Sequence, residues 1–140
     1  MKKKYEKAVR SVLKGVDKFL EETLKGEDGQ RRRWIQYPVI QGPTLSIFKV
    51  YVRVPRGPRV DDHEEPTSRD TLDIATIEAL PTKEGMGTMF FDHIEGVAKA
   101  RNMRYLRVES VLAPELIKIL ERKDYRLSTT MGQSYWKKLF

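Results

Sequence analysis

Cysteine is absent from this chain of 140 residues. Without a thiol, the protein can form no disulfide, no thiolate zinc site and no Cys-based covalent intermediate. The chain also has no apolar run that approaches the roughly 20 residues of a membrane-spanning helix. Its basic N-terminus is not followed by the apolar core of a signal peptide. We therefore expect a cytoplasmic protein.

Histidine is scarce, with only two in the chain. His63 stands within the acidic run 61–65, where an imidazole and several carboxylates could hold a divalent metal. The spacing matches no recognised metal site, and acidic loops are usually solvated. His93 falls in a helical pattern, between its apolar stripe and its polar side. We expect no metal, and a surface position for His93.

Apolar and charged residues are both abundant, at 39 % and 34 %, which indicates a folded chain and not a disordered one. The length fits one domain over residues 1–140. The net charge is +7, with the excess of Lys and Arg in residues 1–33 and 82–140. The clusters at 2–4 and 31–33 could bind the phosphates of a nucleic acid, or could be solvated surface.

The spacing of apolar residues predicts three helices and six strands. The helices are expected at 3–25, at 85–101 and just after Pro114. The strands are expected at 33–40, 44–54, 72–80, 105–109, 125–130 and 133–139. The stretch 55–70 is rich in proline and charge and predicts a long, mobile loop. The strand at 72–80 is apolar on both faces, which indicates a central position, and the helix after it predicts a right-handed βαβ unit.

The turn between that strand and the second helix contains two glycines, Gly85 and Gly87. The start of a helix presents unpaired N–H groups and a partial positive charge, and both suit a phosphate. Glycine lets a ligand approach the backbone closely, although glycines also start helices for packing reasons alone. Neither the P-loop pattern nor the dinucleotide fingerprint is present.

Residues 71–126 resemble the core of the GCN5-related N-acetyltransferases (GNAT). In that family a strand leads to a turn of pattern Q/R-x-x-G-x-G/A that cradles the CoA pyrophosphate. The chain has Ile77 to Pro81 followed by Thr82 to Gly87, and later Ile119 to Tyr125, which is similar to the family's L-Y-E-K-x-G-F. The stretch 108–125 also resembles small bacteriophage-encoded members.

The resemblance implies an α/β fold with a mixed central sheet flanked by helices, in a single domain. It also implies acetyl-CoA as co-substrate. The implied contacts to acetyl-CoA come from the end of the strand and from the turn, at Ile77, Ala79, Thr82, Lys83, Glu84, Gly85, Met86, Gly87 and Thr88.

Four positions depart from the family pattern. Thr82 replaces Arg or Gln, Ala113 replaces Asn, Leu120 replaces the Tyr that often protonates the departing thiolate, and Asp124 replaces Gly. Binding of CoA by the backbone tolerates such changes better than catalysis by side chains does. The resemblance thus implies an acyltransferase that moves acetyl from acetyl-CoA to a primary amine of a protein or small molecule. The alternative is a weak or inactive GNAT-fold module that docks on a host protein or a nucleic acid.

The transfer needs a general base, because an alkylammonium must lose a proton before it attacks. Asp73 aligns with the catalytic Glu of histone-type members. Simple alternation puts Asp73 on the same face as Ile77 and Ala79, and Glu78 on the opposite face.

Two further side chains complete the catalytic candidates. Glu109 closes the next parallel strand, at the edge where ligands collect in open α/β sheets. Tyr125 could replace the missing family Tyr as proton donor. For each of the acids, the alternative is a salt bridge with Arg69, Arg104 or Arg107. The resemblance also implies a backbone N–H donor near Ile77 for the oxyanion.

Overall fold

The computed structural model describes residues 1–25, 31–38, 47–57, 69–80, 85–109, 111, 113–128 and 132–140. Within these ranges the chain forms three helices and six strands. The helices are α1 (Lys3–Lys25), α2 (Met86–Ala100) and α3 (Pro114–Arg122). The strands are β1 (Arg32–Tyr37), β2 (Phe48–Arg53), β3 (Thr71–Ala79), β4 (Tyr105–Val108), β5 (Arg126–Leu127) and β6 (Tyr135–Lys138).

The strands form one mixed sheet in the order β1-β2-β3-β4-β6-β5. Among the described strands, only β3 and β4 pair in parallel, and α2 connects them. The predicted βαβ unit and the interior position of β3 are therefore confirmed. The two strands of the final hairpin are shorter than predicted. Most of the predicted loop, residues 58–68 with His63, lies outside the described residues.

Helix α1 is amphipathic, with apolar residues at steps of three and four. Its buried stripe, which includes Val9, Val12 and Phe19, packs on β1, β2 and α2. At Gly15 the helix backbone lies directly against β1, since a Cβ there would stand 2.6 Å from Ile35 Cγ2. The glycine therefore sets how closely α1 approaches the sheet.

The three described helices lie on one face of the sheet, here called the helix face. On this face Phe48 of β2 packs on Phe90 of α2 with ring centroids 5.4 Å apart. Helix α3 packs on α2, with Ile119 beside Gly87. The opposite face, here called the second face, carries the alternate side chains of the same strands. Among the described residues, no helix covers it.

Strand β3 contains a β-bulge. Tyr51 of β2 lies opposite Thr76, but the next residue, Val52, lies opposite Ile74. Ala75 is thus an extra residue with no partner on β2. An extra residue shifts the alternation of side chains by one position, so that residues on the two sides of the bulge obey opposite patterns.

The bulge makes the predicted placement of the β3 carboxylates wrong. Asp73 lies opposite Arg53, and Glu78 lies opposite Lys49, so both carboxylates project from the second face. Ile77 and Ala79 instead project from the helix face, where their partners on β2 are buried. Simple alternation failed because Ala75 interrupts it between Asp73 and Ile77.

Candidate functional site

Strands β3 and β4 separate halfway along β3. Their last pair is Ile74 with Val108, and the Glu109 N–H donates to Ile74 O at 2.9 Å. Beyond this point β3 continues to Ala79, whereas the Val111 N–H donates to Gln133 O at 2.7 Å. A gap, here called the wedge, therefore opens between residues 75–79 and the chain that follows β4.

A cavity of about 800 Å³ lies at the wedge, on the helix face. That volume is within the range of small-molecule sites, about 300 to 1,000 Å³. The lining comes from β2, the end of β3, the start of α2, and α3. The residues are Phe48, Ile77, Ala79, Gly85, Met86, Gly87, Thr88, Ala113, Glu115, Leu116, Lys118, Ile119, Glu121 and Arg122.

The start of α2 contributes backbone to this cavity. Gly85, the N-cap residue, has φ 81, a left-handed conformation that favours glycine. Among the residues that the structure describes, no side chain caps the helix, and its first turn holds no acidic residue. The unpaired N–H groups and the positive end of the helix dipole are therefore available to an anion.

Helix α3 contributes both apolar and charged side chains. Leu116 and Ile119 supply apolar wall, and Lys118 and Arg122 supply cations, with two glutamates beside them. The ion pairs found among the described residues include neither Lys118 nor Arg122. Neither cation was predicted as a site residue. The i, i+4 spacing of Lys118 and Arg122, which puts both on one side of the third helix, was the available signal.

Six of the nine residues predicted to contact the cofactor line the cavity. They are Ile77, Ala79, Gly85, Met86, Gly87 and Thr88. The other three, Thr82, Lys83 and Glu84, lie outside the described residues. The end of β3 and the start of α2 therefore line one cavity, and their contact with acetyl-CoA stays a prediction.

Two of the predicted catalytic acids meet on the second face, in a cluster with two arginines. Asp73 Oδ2 accepts from Arg53 Nη2 at 3.0 Å and from Arg107 Nη2 at 3.2 Å. Arg53 also donates to Glu109 Oε2. The Asp73 side chain is only 1 % exposed, so its two guanidinium partners are what make burial of its charge affordable. The predicted alternative of an Arg107 ion pair is present, whereas Arg53 was missed.

Glu109 has the more unusual environment of the two acids. Burial raises the pKa of its carboxyl above the ordinary value, and the hydrogen bond and charge of Asp73 add to this. The charges of Arg53 and Arg107 oppose the increase. Since the Glu109 N–H bonds Ile74 O, the residue stands where the wedge begins. A carboxylate with a raised pKa is closer to the range in which a general base works at neutral pH.

The other two catalytic candidates lie elsewhere. Glu78 has a side chain 53 % exposed and pairs with Lys49 Nζ at 3.3 Å. Tyr125 is buried and donates from its hydroxyl to Glu95 Oε2 at 3.1 Å. Burial, followed by the charge and hydrogen bond of Glu95, raises the pKa of Tyr125. The cavity lining includes neither residue.

Three further predicted positions have clear structural outcomes. Leu120, in place of the family's Tyr, is fully buried in the core. Asp124, in place of the family's Gly, has φ 65, a conformation in which Asp is among the better tolerated non-glycine residues. His93 is exposed, as predicted.

The mixed sheet, the parted β3 and β4 strands and the helix that starts at the wedge are the fold of the GCN5-related N-acetyltransferases. A GNAT-family acetyltransferase of Staphylococcus aureus Mu50 superposes with a TM-score of 0.52 at 8 % identity, over 100 % of this chain and 96 % of the other. The GNAT domain of S. lividans PAT gives a TM-score of 0.50 at 15 % identity, over 81 % of this chain.

A third structure, the yncA protein of Salmonella typhimurium with its cofactor acetyl-CoA, gives a TM-score of 0.47 at 9 % identity over 69 % of this chain. The matched part spans 64 % of the S. lividans chain and 60 % of the S. typhimurium chain. The sequence matches no protein-family model and no curated protein. At these identities the superpositions with TM-scores of 0.50 and 0.52 establish the fold.

None of the described helices is long and apolar enough to cross a membrane.

Proposed function

We propose that the protein transfers the acetyl group of acetyl-CoA to a primary amine of a protein or small molecule. The observation that carries this proposal is the cavity at the wedge, with an uncapped, glycine-initiated helix at its wall. An anionic, partly apolar ligand fits both features. The fold adds support, because its structural neighbours include acetyltransferases.

The residues of the cavity suit the parts of acetyl-CoA. The N–H groups at the start of α2, from Gly85 to Thr88, would hold the pyrophosphate. Lys118 and Arg122 would add the positive charge that Thr82 does not supply. Phe48, Ile77 and Leu116 would contact the apolar parts of the pantetheine arm. The thioester supplies an activated acyl group.

In the proposed reaction, Glu109 accepts a proton from the acceptor amine, which approaches from the second face. The amine nitrogen then forms a bond to the thioester carbonyl carbon, and the C–S bond breaks. A backbone N–H of β3 near Ile77 stabilises the oxyanion. The nitrogen loses its second proton to solvent as the amide forms, and the CoA thiolate leaves and takes up a proton from solvent.

Within this proposal the four catalytic candidates have different roles. Glu109 is the base, and Asp73 positions it through Arg53, which donates to both carboxylates. Glu78 and Tyr125 are assigned structural roles, because Glu78 pairs with Lys49 on the surface and Tyr125 bonds Glu95 in the interior.

The test is a pair of matched substitutions in α2. A side chain at Gly87 would enter the cavity beside Ile119, whose Cδ1 lies 3.9 Å from the added Cβ. At Gly96, in the same helix, nothing lies within 4 Å of an added Cβ. Neither glycine has a positive φ, so both accept a side chain without backbone strain. Gly87→Glu puts a carboxylate where the phosphates would lie, and Gly96→Glu is the control.

The measurement is thermal unfolding with and without acetyl-CoA. Ligand at 100 times its Kd adds about 2.7 kcal/mol to the free energy of unfolding. We expect this gain in the native protein and in Gly96→Glu, and its loss in Gly87→Glu. No gain at millimolar acetyl-CoA in the native protein would refute the proposal.

A second candidate function is binding without turnover. Ala113 lines the cavity where the family has Asn, and Leu120 is buried where the family has Tyr. These two positions therefore supply neither the amide nor the hydroxyl of the family pattern. Such a module would dock on a host protein or a nucleic acid. Stabilisation by acetyl-CoA, with no CoA released across a panel of amine acceptors, would favour this function. The likeness of residues 108–125 to bacteriophage-encoded members stays a prediction.

A further inference from the structure

Trp34 is an exposed aromatic residue on a regular strand. It lies on the edge strand β1, projects from the second face and is 50 % exposed. Its indole stacks on the ring of Tyr51, with centroids 4.8 Å apart and planes at 29°. Lys49 Nζ lies 4.9 Å from the centre of the indole. A tryptophan held in place by a neighbouring ring is a ready-made surface for a further aromatic group.

Arginines lie on one side of this aromatic pair, at the end of the sheet where β1 begins. Arg32, two residues before Trp34, is exposed on the same face at a distance of about 7 Å along the strand. At the start of β1 the guanidinium of Arg31 donates to Val54 O at 3.0 Å and to Pro55 O at 3.2 Å. These bonds fix the Arg31 guanidinium at the end of the sheet where β1 begins.

The cations at this end of the sheet repel one another. The Arg69 N–H donates to Gly57 O at 3.0 Å, which brings Arg69 beside the segment that carries Arg56. Burial lowers the pKa of Arg31, and the charges of Arg56 and Arg69 lower it further. Arg56 and Arg69 are exposed. The ion pairs formed among the described residues include neither of them. Repulsion among fixed cations favours an anionic ligand.

We propose that this end of the second face binds a single-stranded nucleic acid. A base would stack on Trp34, and the phosphates would follow Arg32 towards Arg56 and Arg69. Exposed aromatic residues on a sheet face flanked by cations are how single strands are bound, because unpaired bases offer their ring faces. An acidic protein would match the charge but would have no use for the stacked aromatic pair.

The sequence clusters predicted to bind nucleic acid divide differently in the structure. Of residues 31–33, Arg33 turns to the helix face, where it donates to Glu22 Oε2 at 2.5 Å and lies over the ring of Phe19. The lysines at 2–4 lie at the start of α1, on the helix side of the molecule. The proposed surface thus uses Arg31 and Arg32 of one cluster, together with residues outside both clusters.

The first test is tryptophan fluorescence during titration with a 12-nucleotide single strand of mixed sequence. The chain has two tryptophans, and Trp136 is only 5 % exposed, so quenching by a stacked base reports Trp34. We expect quenching in the native protein and its loss in Trp34→Phe. Linear polyphosphate and poly-glutamate serve as anions without bases, and neither should quench.

The second test is affinity by fluorescence anisotropy with the same labelled strand. Trp34→Ala should weaken binding roughly 5- to 150-fold, the range found for loss of one stacked base. Phe140→Ala, which removes another exposed aromatic side chain, should leave binding unchanged. Arg56→Gln/Arg69→Gln should reduce the slope of log K against log salt by about 1.4. The matched pair Lys7→Gln/Lys14→Gln, on α1, should leave that slope unchanged.

Three results would overturn the proposal. They are no binding of the strand, binding that Trp34→Ala does not weaken, and poly-glutamate binding that requires Trp34, which would identify an acidic protein as the partner. The proposal does not depend on the acetyl-CoA site. Cooperative thermal unfolding of Trp34→Ala without ligand verifies that the variant folds, so the two proposals can fail separately.

Discussion

At the scale of the residue, Glu109 connects burial with chemistry. Its raised pKa has burial as the first cause and Asp73 as the second, and both act on the group that stands where β3 and β4 separate. Glu109→Gln keeps the shape of the side chain and removes its basicity. If Glu109 is the base, kcat should fall about 10²- to 10⁴-fold, while the KM for acetyl-CoA should stay within a few-fold.

The pH dependence of the rate also tests whether Glu109 is the base. The base acts in its deprotonated form, so the rate should fall as the pH is lowered through the raised pKa of Glu109, above the ordinary value of 4.5. Glu109→Gln should lack this limb. Glu78→Gln is the matched control, because Glu78 is an exposed carboxylate that projects from the same face, and it should keep both rate and profile. A full rate in Glu109→Gln would remove the residue from the mechanism.

At the scale of the element, two glycines in helices should respond oppositely to the same substitution. Gly15→Ala puts a Cβ 2.6 Å from Ile35 Cγ2, and overpacking of this kind typically costs about 1 to 3 kcal/mol. Gly96→Ala meets nothing within 4 Å and should raise the free energy of unfolding by about 0.5 to 1 kcal/mol. Urea unfolding measures both changes. In an Ile35→Ala background, which removes the clashing methyl, Gly15→Ala should no longer destabilise; equal costs in both backgrounds would contradict the packing explanation.

Some elements could be predicted from the sequence, whereas other features of the same strands and helices could not. Helix α1 follows from apolar periodicity, because it buries a regular stripe of its own side chains. Strand β3 follows from a run of residues that is apolar on both faces. The bulge at Ala75 leaves no comparable signal, since alanine fits either face of a strand. The predicted face of Asp73, relative to Ile77 and Glu78, was wrong for that reason alone. Arg53 was missed because its partner Asp73 lies on another strand, and pairing across strands depends on register.

At the scale of the whole molecule, Tyr125 ties together elements distant in sequence. It follows α3, packs its ring edge-on against Phe91 of α2 and bonds Glu95, which Lys137 of β6 also contacts. Its pKa in the folded protein is raised above the ordinary 10.0, so the unfolded chain loses this proton first as the pH rises. The stability that this group contributes is therefore complete below about pH 10 and declines above it, by about 1.4 kcal/mol per pH unit.

Tyr125→Phe removes the ionisable hydroxyl and isolates this contribution. At pH 8 the variant should be less stable than the native protein by about 1 kcal/mol, because one buried hydrogen bond is lost while Glu95 keeps Lys137. The difference should shrink between pH 10 and 11.5. Melting temperatures across that range measure it, and a constant difference would show that the phenol titrates equally in both states.

The candidate site could be predicted from the sequence only where one continuous segment of backbone forms it. The glycine turn and the end of β3 were identified because strand, turn and helix follow one another along the chain. The cations at Lys118 and Arg122 come from a helix some 30 residues later, so only the tertiary fold brings them to the cavity. The acid–arginine cluster likewise assembles from three strands.

The bulge at Ala75 also has a genetic meaning. A single codon encodes Ala75. Because of the bulge, β3 presents charge on the second face at its beginning and apolar side chains on the helix face at its end. An in-frame deletion of that codon would restore regular alternation, and would force either Asp73 into the apolar interior or Ile77 and Ala79 out of the cavity. Lineages of this chain should therefore tolerate many substitutions at position 75 but rarely its loss.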